Sequence, residues 1–181
     1  MRHTDYEEPS MIQPQLFEVF IQFEEHASSL YLDLSARFGE NLALSWFWIE
    51  MAMDEKQHAG LLQFCKEAGT VISVVPTDEQ IQHLGGLFKE LSAKATKPDL
   101  ALDEAFDIAI AVESSEINEI FDNLIKNITG PLYVIRKKVE LAINHFTKLR
   151  EAGVRFGVSK SILERLADLE QREDFVRGLV K

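Results

Sequence analysis

Residues 41–69 read NLALSWFWIEMAMDEKQHAGLLQFCKEAG, and their punctuation and period together select one long helix. Asn41 can accept a hydrogen bond from the first free backbone amides, and Gly69 can leave the helix in the left-handed conformation. Between them Leu44, Trp48, Met51, Glu55, His58, Leu62 and Cys65 recur at steps of three and four, which is one helical face. A glutamate and a histidine therefore stand on a stripe that is otherwise apolar. That intrusion organises the reading of the rest of the chain.

Upstream, Ser10 to Gln13 has the spacing of a capping box, and helical periodicity runs from Gln15 to Phe38, where Gly39 stops it. Its stripe is Leu16 or Phe17, Phe20, Glu24, Ala27, Tyr31, Leu34 and Phe38. Downstream, residues 70–76 (TVISVVP) are β-branched and end in proline, so they predict an extended segment. Thr77 to Gln80 opens a short helix that Gly85 and Gly86 weaken. Pro98 and Asp99 introduce a third long helix reaching Ile128, with Phe106, Ile110, Glu113, Ile117, Ile120 and Leu124 on its stripe. Thr129, Gly130 and Pro131 form a tight turn. A fourth helix runs from there to Gly153 with Ile135, Val139, Ala142, Phe146 and Leu149 in line and His145 beside them. Ser161 to Glu164 starts a last amphipathic helix within 159–179. Its apolar side, Ile162, Leu163, Leu166, Leu169, Phe175 and Val176, either covers the end of the molecule or pairs with a second subunit. A homodimer is one expectation from that stripe.

Loop lengths set the topology. The first two long helices are joined by a few residues, as are the last two of the four, so each pair is an antiparallel hairpin. The connection 69–98 is long enough to travel the length of a bundle. The expectation is an all-α, single-domain chain over 1–181. Its four-helix core at 15–152 consists of two hairpins joined by a long crossover, with an extra C-terminal helix.

Composition excludes several classes. The apolar fraction of 46% and charged fraction of 27% are those of a globular domain. The richest apolar run, Leu42 to Met53, is interrupted by Ser45 and Glu50, and no stretch reaches the ~18 residues of a membrane span. The acidic start, with Asp5, Glu7 and Glu8, is unlike a secretory signal, and the lone Cys65 suits a reducing cytoplasm. A formal net charge of −11 opposes nucleic-acid or acidic-membrane partners.

The polar intruders carry the chemistry. Glu24, Glu55 and Glu113 each replace an apolar residue on a core-facing stripe, and His58 and His145 join them. A buried, unpaired carboxylate costs several kcal/mol, comparable with the stability of a whole domain. Such groups converging at one level need either a cation or a shared proton network. Glu55 and His58 form a Glu-x-x-His, whose members share a helix face and can bind one ion together. Glu24 lies about 30 positions upstream in the partner helix, and Ala142 to His145 repeats the frame about 30 positions after Glu113, with alanine in the glutamate's place.

Three segments resemble the rubrerythrin branch of the ferritin-like superfamily. Glu24 to Tyr31 resembles its first-helix Glu-x6-Tyr motif, Asp54 to Leu62 its Asp-Glu-x-x-His motif, and Ala109 to Glu113 its third-helix segment. The resemblance covers residues 15–152. It implies a bundle holding two iron or manganese ions, with Glu24, Glu55, His58, Glu113 and His145 as ligands. The sixth position is Ala142, and Ile120 stands where a second tyrosine would be. Glu116, one turn from Glu113, is the candidate substitute carboxylate, and Tyr31 is either a hydrogen-bond donor to a ligand or a core tyrosine. The chain has no cysteine-rich electron-transfer module.

The function implied is a metal-binding redox protein acting on dioxygen or hydrogen peroxide with an external electron donor. The alternative is a non-catalytic scaffold that works through oligomerisation or partner binding, its site empty or filled by one ion such as zinc. Iron storage fits less well, because the second hairpin departs from the motif.

Overall fold

The computed structural model describes residues 13–71, 75–115 and 145–179. Among the described residues the chain forms six helices and no strand. They are α1 (Gln13–Arg37), α2 (Leu42–Glu67), α3 (Asp78–Ala95), α4 (Leu102–Glu113), α5 (His145–Phe156) and α6 (Lys160–Leu179). None is long and apolar enough to cross a membrane.

The expected α2 is present from cap to cap. The Asn41 side chain accepts from Leu44 N at 3.2 Å. At the other end Gly69 takes φ +69°, so its own N–H reaches Lys66 O and Thr70 N–H reaches Cys65 O at 2.9 Å. Those two bonds satisfy carbonyls the helix would otherwise leave open, and only glycine adopts that turn without a Cβ penalty.

α1 and α2 form an antiparallel hairpin along their whole length. Ser35 and Ser45 share a 2.8 Å hydrogen bond near the connection. Ser28 Oγ donates to Ala52 O at 2.9 Å further along, then Lys56 pairs with Glu25 and Lys66 with Glu18. Partner numbers fall on one helix as they rise on the other. The serines bond across the seam, while Lys56 and Glu25 stay in solvent beside it.

α3 lies against α1 and α4; α4 packs on α5, α6 and α1; α5 packs on α6. α3 is longer than its two glycines predicted, passing through Gly85 and Gly86 without a break. Each costs about 1 kcal/mol relative to alanine. Burial of Leu84, Phe88, Leu91 and Ala95 outweighs that cost, because about 1.5–3 kcal/mol accompanies each large apolar side chain removed from water. Its capping box forms as expected, with Thr77 and Gln80 exchanging hydrogen bonds.

Two boundaries differ from the sequence pattern. α4 closes at Glu113, capped by Ser114, whereas the sequence pattern carries the helix through this point; the remainder of that expected helix, from 116 to 128, lies outside the described residues. Consecutive serines compete for backbone hydrogen bonds and are weak helix formers. α6 begins at Lys160, with Leu163 N–H bonding Ser159 O, one residue ahead of the expected Ser161 start. The first part of its apolar side packs within the chain: Ile162 and Leu166 are buried, and Leu163 and Leu169 pack against the core. Gly153 makes that crossing possible, since a Cβ there would stand 3.0 Å from Val158 Cγ2 and 3.1 Å from Leu163 Cδ2. The expected turn at 129–131, the first part of the fourth helix with Ala142, and the Ser10 capping position lie outside the described residues.

The core is aromatic around α2. Trp48 stacks on Tyr31 at 5.9 Å and meets the edge of Phe106 at 5.2 Å, while Phe47 lies 6.2 Å from Phe106. This dry layer forms one wall of the polar cluster described next.

Candidate metal centre

Four helices each deliver polar groups to one buried place. α1 supplies Glu24 and Tyr31, α2 supplies Glu55 and His58, α4 supplies Glu113, and α5 supplies His145. Glu24, Glu55 and Glu113 are 1%, 2% and 5% exposed, a burial that isolated carboxylates do not tolerate. Each sits on its helix's core stripe, where the period put it.

The donors fall into two overlapping groups. Glu24, Glu55 and His58 form one; Glu55, Glu113 and His145 form the other; the ligand atoms within each lie within 4.8 Å of one another. Glu55 belongs to both. In the first group His58 Nδ1 is 3.0 Å from Glu55 Oε2 and 3.7 Å from Glu24 Oε2. In the second His145 Nδ1 is 2.7 Å from Glu113 Oε2 and 3.9 Å from Glu55 Oε1. The two imidazole rings stack at 5.4 Å, so the halves adjoin. Tyr31 donates its hydroxyl to Glu113 Oε1 at 2.5 Å.

Electrostatics follow from burial and crowding. Burial and the neighbouring Glu113 charge push the Glu55 carboxyl up to about 8, against the opposing hydrogen bond from His58. Burial would lower both histidines, but their carboxylate partners prevail. His58 is held well above its ordinary value by Glu24 and Glu55, and His145 is raised to about 9 by Glu113. Burial would raise Glu113, yet the charge and hydrogen bond of His145 and the hydrogen bond of Tyr31 hold it below the usual range. Tyr31 is driven well above its ordinary value by burial and by Glu113. Burial and crowding therefore favour protons on Glu55 and on both histidines. A divalent cation can displace all three, because carboxylate and imidazole ligands bind in their deprotonated forms.

The residues fit such an ion on a further observation. Glu24 Oε1 and Glu55 Oε1 are buried and have no hydrogen-bond partner among the described residues. An unsatisfied buried carboxylate oxygen is costly, and one in each half points to a missing electropositive partner. Oxygen and imidazole donors suit iron, manganese or zinc. The sequence-derived set is thus brought together for Glu24, Glu55, His58, Glu113, His145 and Tyr31, while Glu116 lies outside the described residues.

Two neighbours escaped the stripe analysis. Asp54 and Lys148 pair at 2.5 Å beside His145, on the flanks of α2 and α5 rather than on their core faces. The available signal was local: Asp54 adjoins Glu55, and Lys148 stands one turn after His145.

Comparison with known proteins returns no match to a family model, to a curated protein or to a solved structure.

Proposed function

We propose that this chain is a metal-binding protein of the ferritin-like, rubrerythrin type, in which two hairpins and a crossover form a four-helix bundle around one or two iron or manganese ions. The observation that carries the reading is the convergence of three buried carboxylates and two imidazoles from four helices, with two carboxylate oxygens left without a donor. Glu24, Glu55 and His58 hold one position, and Glu55, Glu113 and His145 the other, with Glu55 shared. Iron or manganese bound there supplies electron exchange with dioxygen or hydrogen peroxide, drawing electrons from an external donor.

The chain's own residues have definable tasks. Tyr31 fixes one oxygen of Glu113, leaving the other for His145 or a cation. Trp48 and Phe106 keep water from the Tyr31 side, which strengthens every charge interaction inside. Glu55 and the histidines release protons as a cation enters.

A second reading is favoured by the pairing of each histidine with a carboxylate at hydrogen-bond distance. In it the cluster is a self-sufficient proton network, and the helices serve as a scaffold for oligomerisation or partner binding. Anaerobic loading with ferrous ion, followed by elemental analysis, separates the two. One or two ions per chain, lost in Glu55→Ala, is the expected result. No bound ion in the folded protein sinks the metal reading.

A further inference from the structure

One more charged pair is pressed against the cluster. Asp54 immediately precedes the shared Glu55 on α2, and its side chain reaches towards α5. There it meets two residues one turn apart: Lys148 Nζ donates to Asp54 Oδ2 at 2.5 Å, and His145 Nε2 stands 3.6 Å from that same oxygen. The side chains of Asp54 and Lys148 are 19% and 18% exposed. A freely exposed ion pair is screened and contributes little, whereas a sheltered one projects its field onto its neighbours.

His145 is the neighbour that matters. Its Nδ1 faces Glu113 and Glu55, and its Nε2 faces Asp54. A histidine that binds a cation through one nitrogen is oriented and made more basic by an acceptor on the other. Asp54 Oδ2 is in place to be that acceptor, but it is engaged by the ammonium group at hydrogen-bond distance while the imidazole stands beyond it. Lys148 also cancels a carboxylate charge that would otherwise reinforce Glu113 and Glu55 from the far side of His145.

We propose that Lys148 is a specificity-determining residue that lowers the cation affinity of the Glu113–His145 half, by neutralising Asp54 and holding it back from His145. The inference rests on the metal-binding reading above and deepens it. Lys148 touches no ion itself; it makes two chemically similar halves unequal, so that one retains its ion while the other exchanges it.

The test uses full-length protein stripped by chelator and titrated anaerobically with cobalt(II), following stepwise binding by calorimetry and the visible ligand-field bands. In wild type a tight ion precedes a weaker one. Lys148→Met tightens the second ion about tenfold and leaves the first unchanged, an effect of the size expected for removing one nearby charge. Lys148→Arg keeps the charge and behaves as wild type. Asp54→Asn leaves the ammonium uncancelled beside His145, so the second ion weakens about tenfold. The ratio of the two constants is the readout, since general destabilisation would weaken both together. If Lys148→Met does not fold, Lys148→Gln against Lys148→Arg makes the same comparison. An unchanged ratio in the neutral variants, with ions still bound, overturns the role of Lys148 and leaves the metal reading standing. An equal tenfold change in Lys148→Arg overturns it too. No ion bound by any form overturns both.

Discussion

The two halves of the centre use the same ligand chemistry and are assembled in different ways. Glu24, Glu55 and His58 all come from the α1–α2 hairpin, whose register is held by the Ser35–Ser45 and Ser28–Ala52 hydrogen bonds on the same seam. Glu113 and His145 come from α4 and α5, elements distant in sequence from that hairpin. They are tied back to it through Tyr31 and through the Lys148–Asp54 pair. A half built within one hairpin inherits its geometry from local pairing. The other half depends on long-range contacts, which is where affinity can be tuned without touching a ligand.

The largest expected effect comes from the residue common to both. Glu55→Ala should abolish binding at both positions, a loss exceeding the roughly 10- to 100-fold that outer partners contribute, read as no metal retained after desalting. The next tests treat the halves separately. Glu24→Gln should remove the tighter ion and Glu113→Gln the weaker one, each leaving one ion per chain by elemental analysis. Identical losses from both substitutions would break the distinction between the halves.

The metal-free protein should lose stability as pH rises. Glu55 and His145 hold protons up to about 8 and about 9 in the folded chain, above their unfolded values. The folded state therefore binds more protons than the unfolded state between those limits, and folding is favoured less at each step upward. Tm of metal-free protein should fall between pH 6 and pH 9.5, while metal affinity should rise over the same interval as ligands deprotonate. A metal-free Tm that rises across this range would contradict the proton assignment.

Tyr31→Phe sharpens the comparison at smaller scale. It removes the donor to Glu113 and should weaken the second ion about tenfold while sparing the first. Ser28→Ala should cost only about 1 kcal/mol in denaturant unfolding, by freeing Ala52 O on the hairpin seam, with no change in metal stoichiometry.

The same asymmetry governs what could be read from the sequence. α1, α2 and their ligands were legible because caps, period and a short connection all agreed from Asn41 to Gly69. Glu113 and His145 were legible as members of one site, because the frame of the first pair of helices repeats about 30 positions after Glu113; their 2.7 Å contact needed the structure. Asp54 and Lys148 were missed because a stripe analysis looks for polar residues on the core face, and these leave their helices sideways. Gly85 and Gly86 misled the reading of α3: their propensity is a local cost, and the packing of Phe88 and Leu91 on neighbouring helices that offsets it is not local. α6 offered its apolar side without revealing the surface that takes it up, which Gly153 opens within the same chain.

Trp46 and Trp48 stand two residues apart on α2 and face opposite worlds. Trp46 is 57% exposed, while Trp48 is fully buried and stacked on the tyrosine that holds Glu113. The chain thus carries two intrinsic fluorophores of different colour, one emitting from water and one from the dry wall of the site. A paramagnetic ion settling among the carboxylates would dim the blue component and leave the red one alight, so the protein would report its own occupancy without a label.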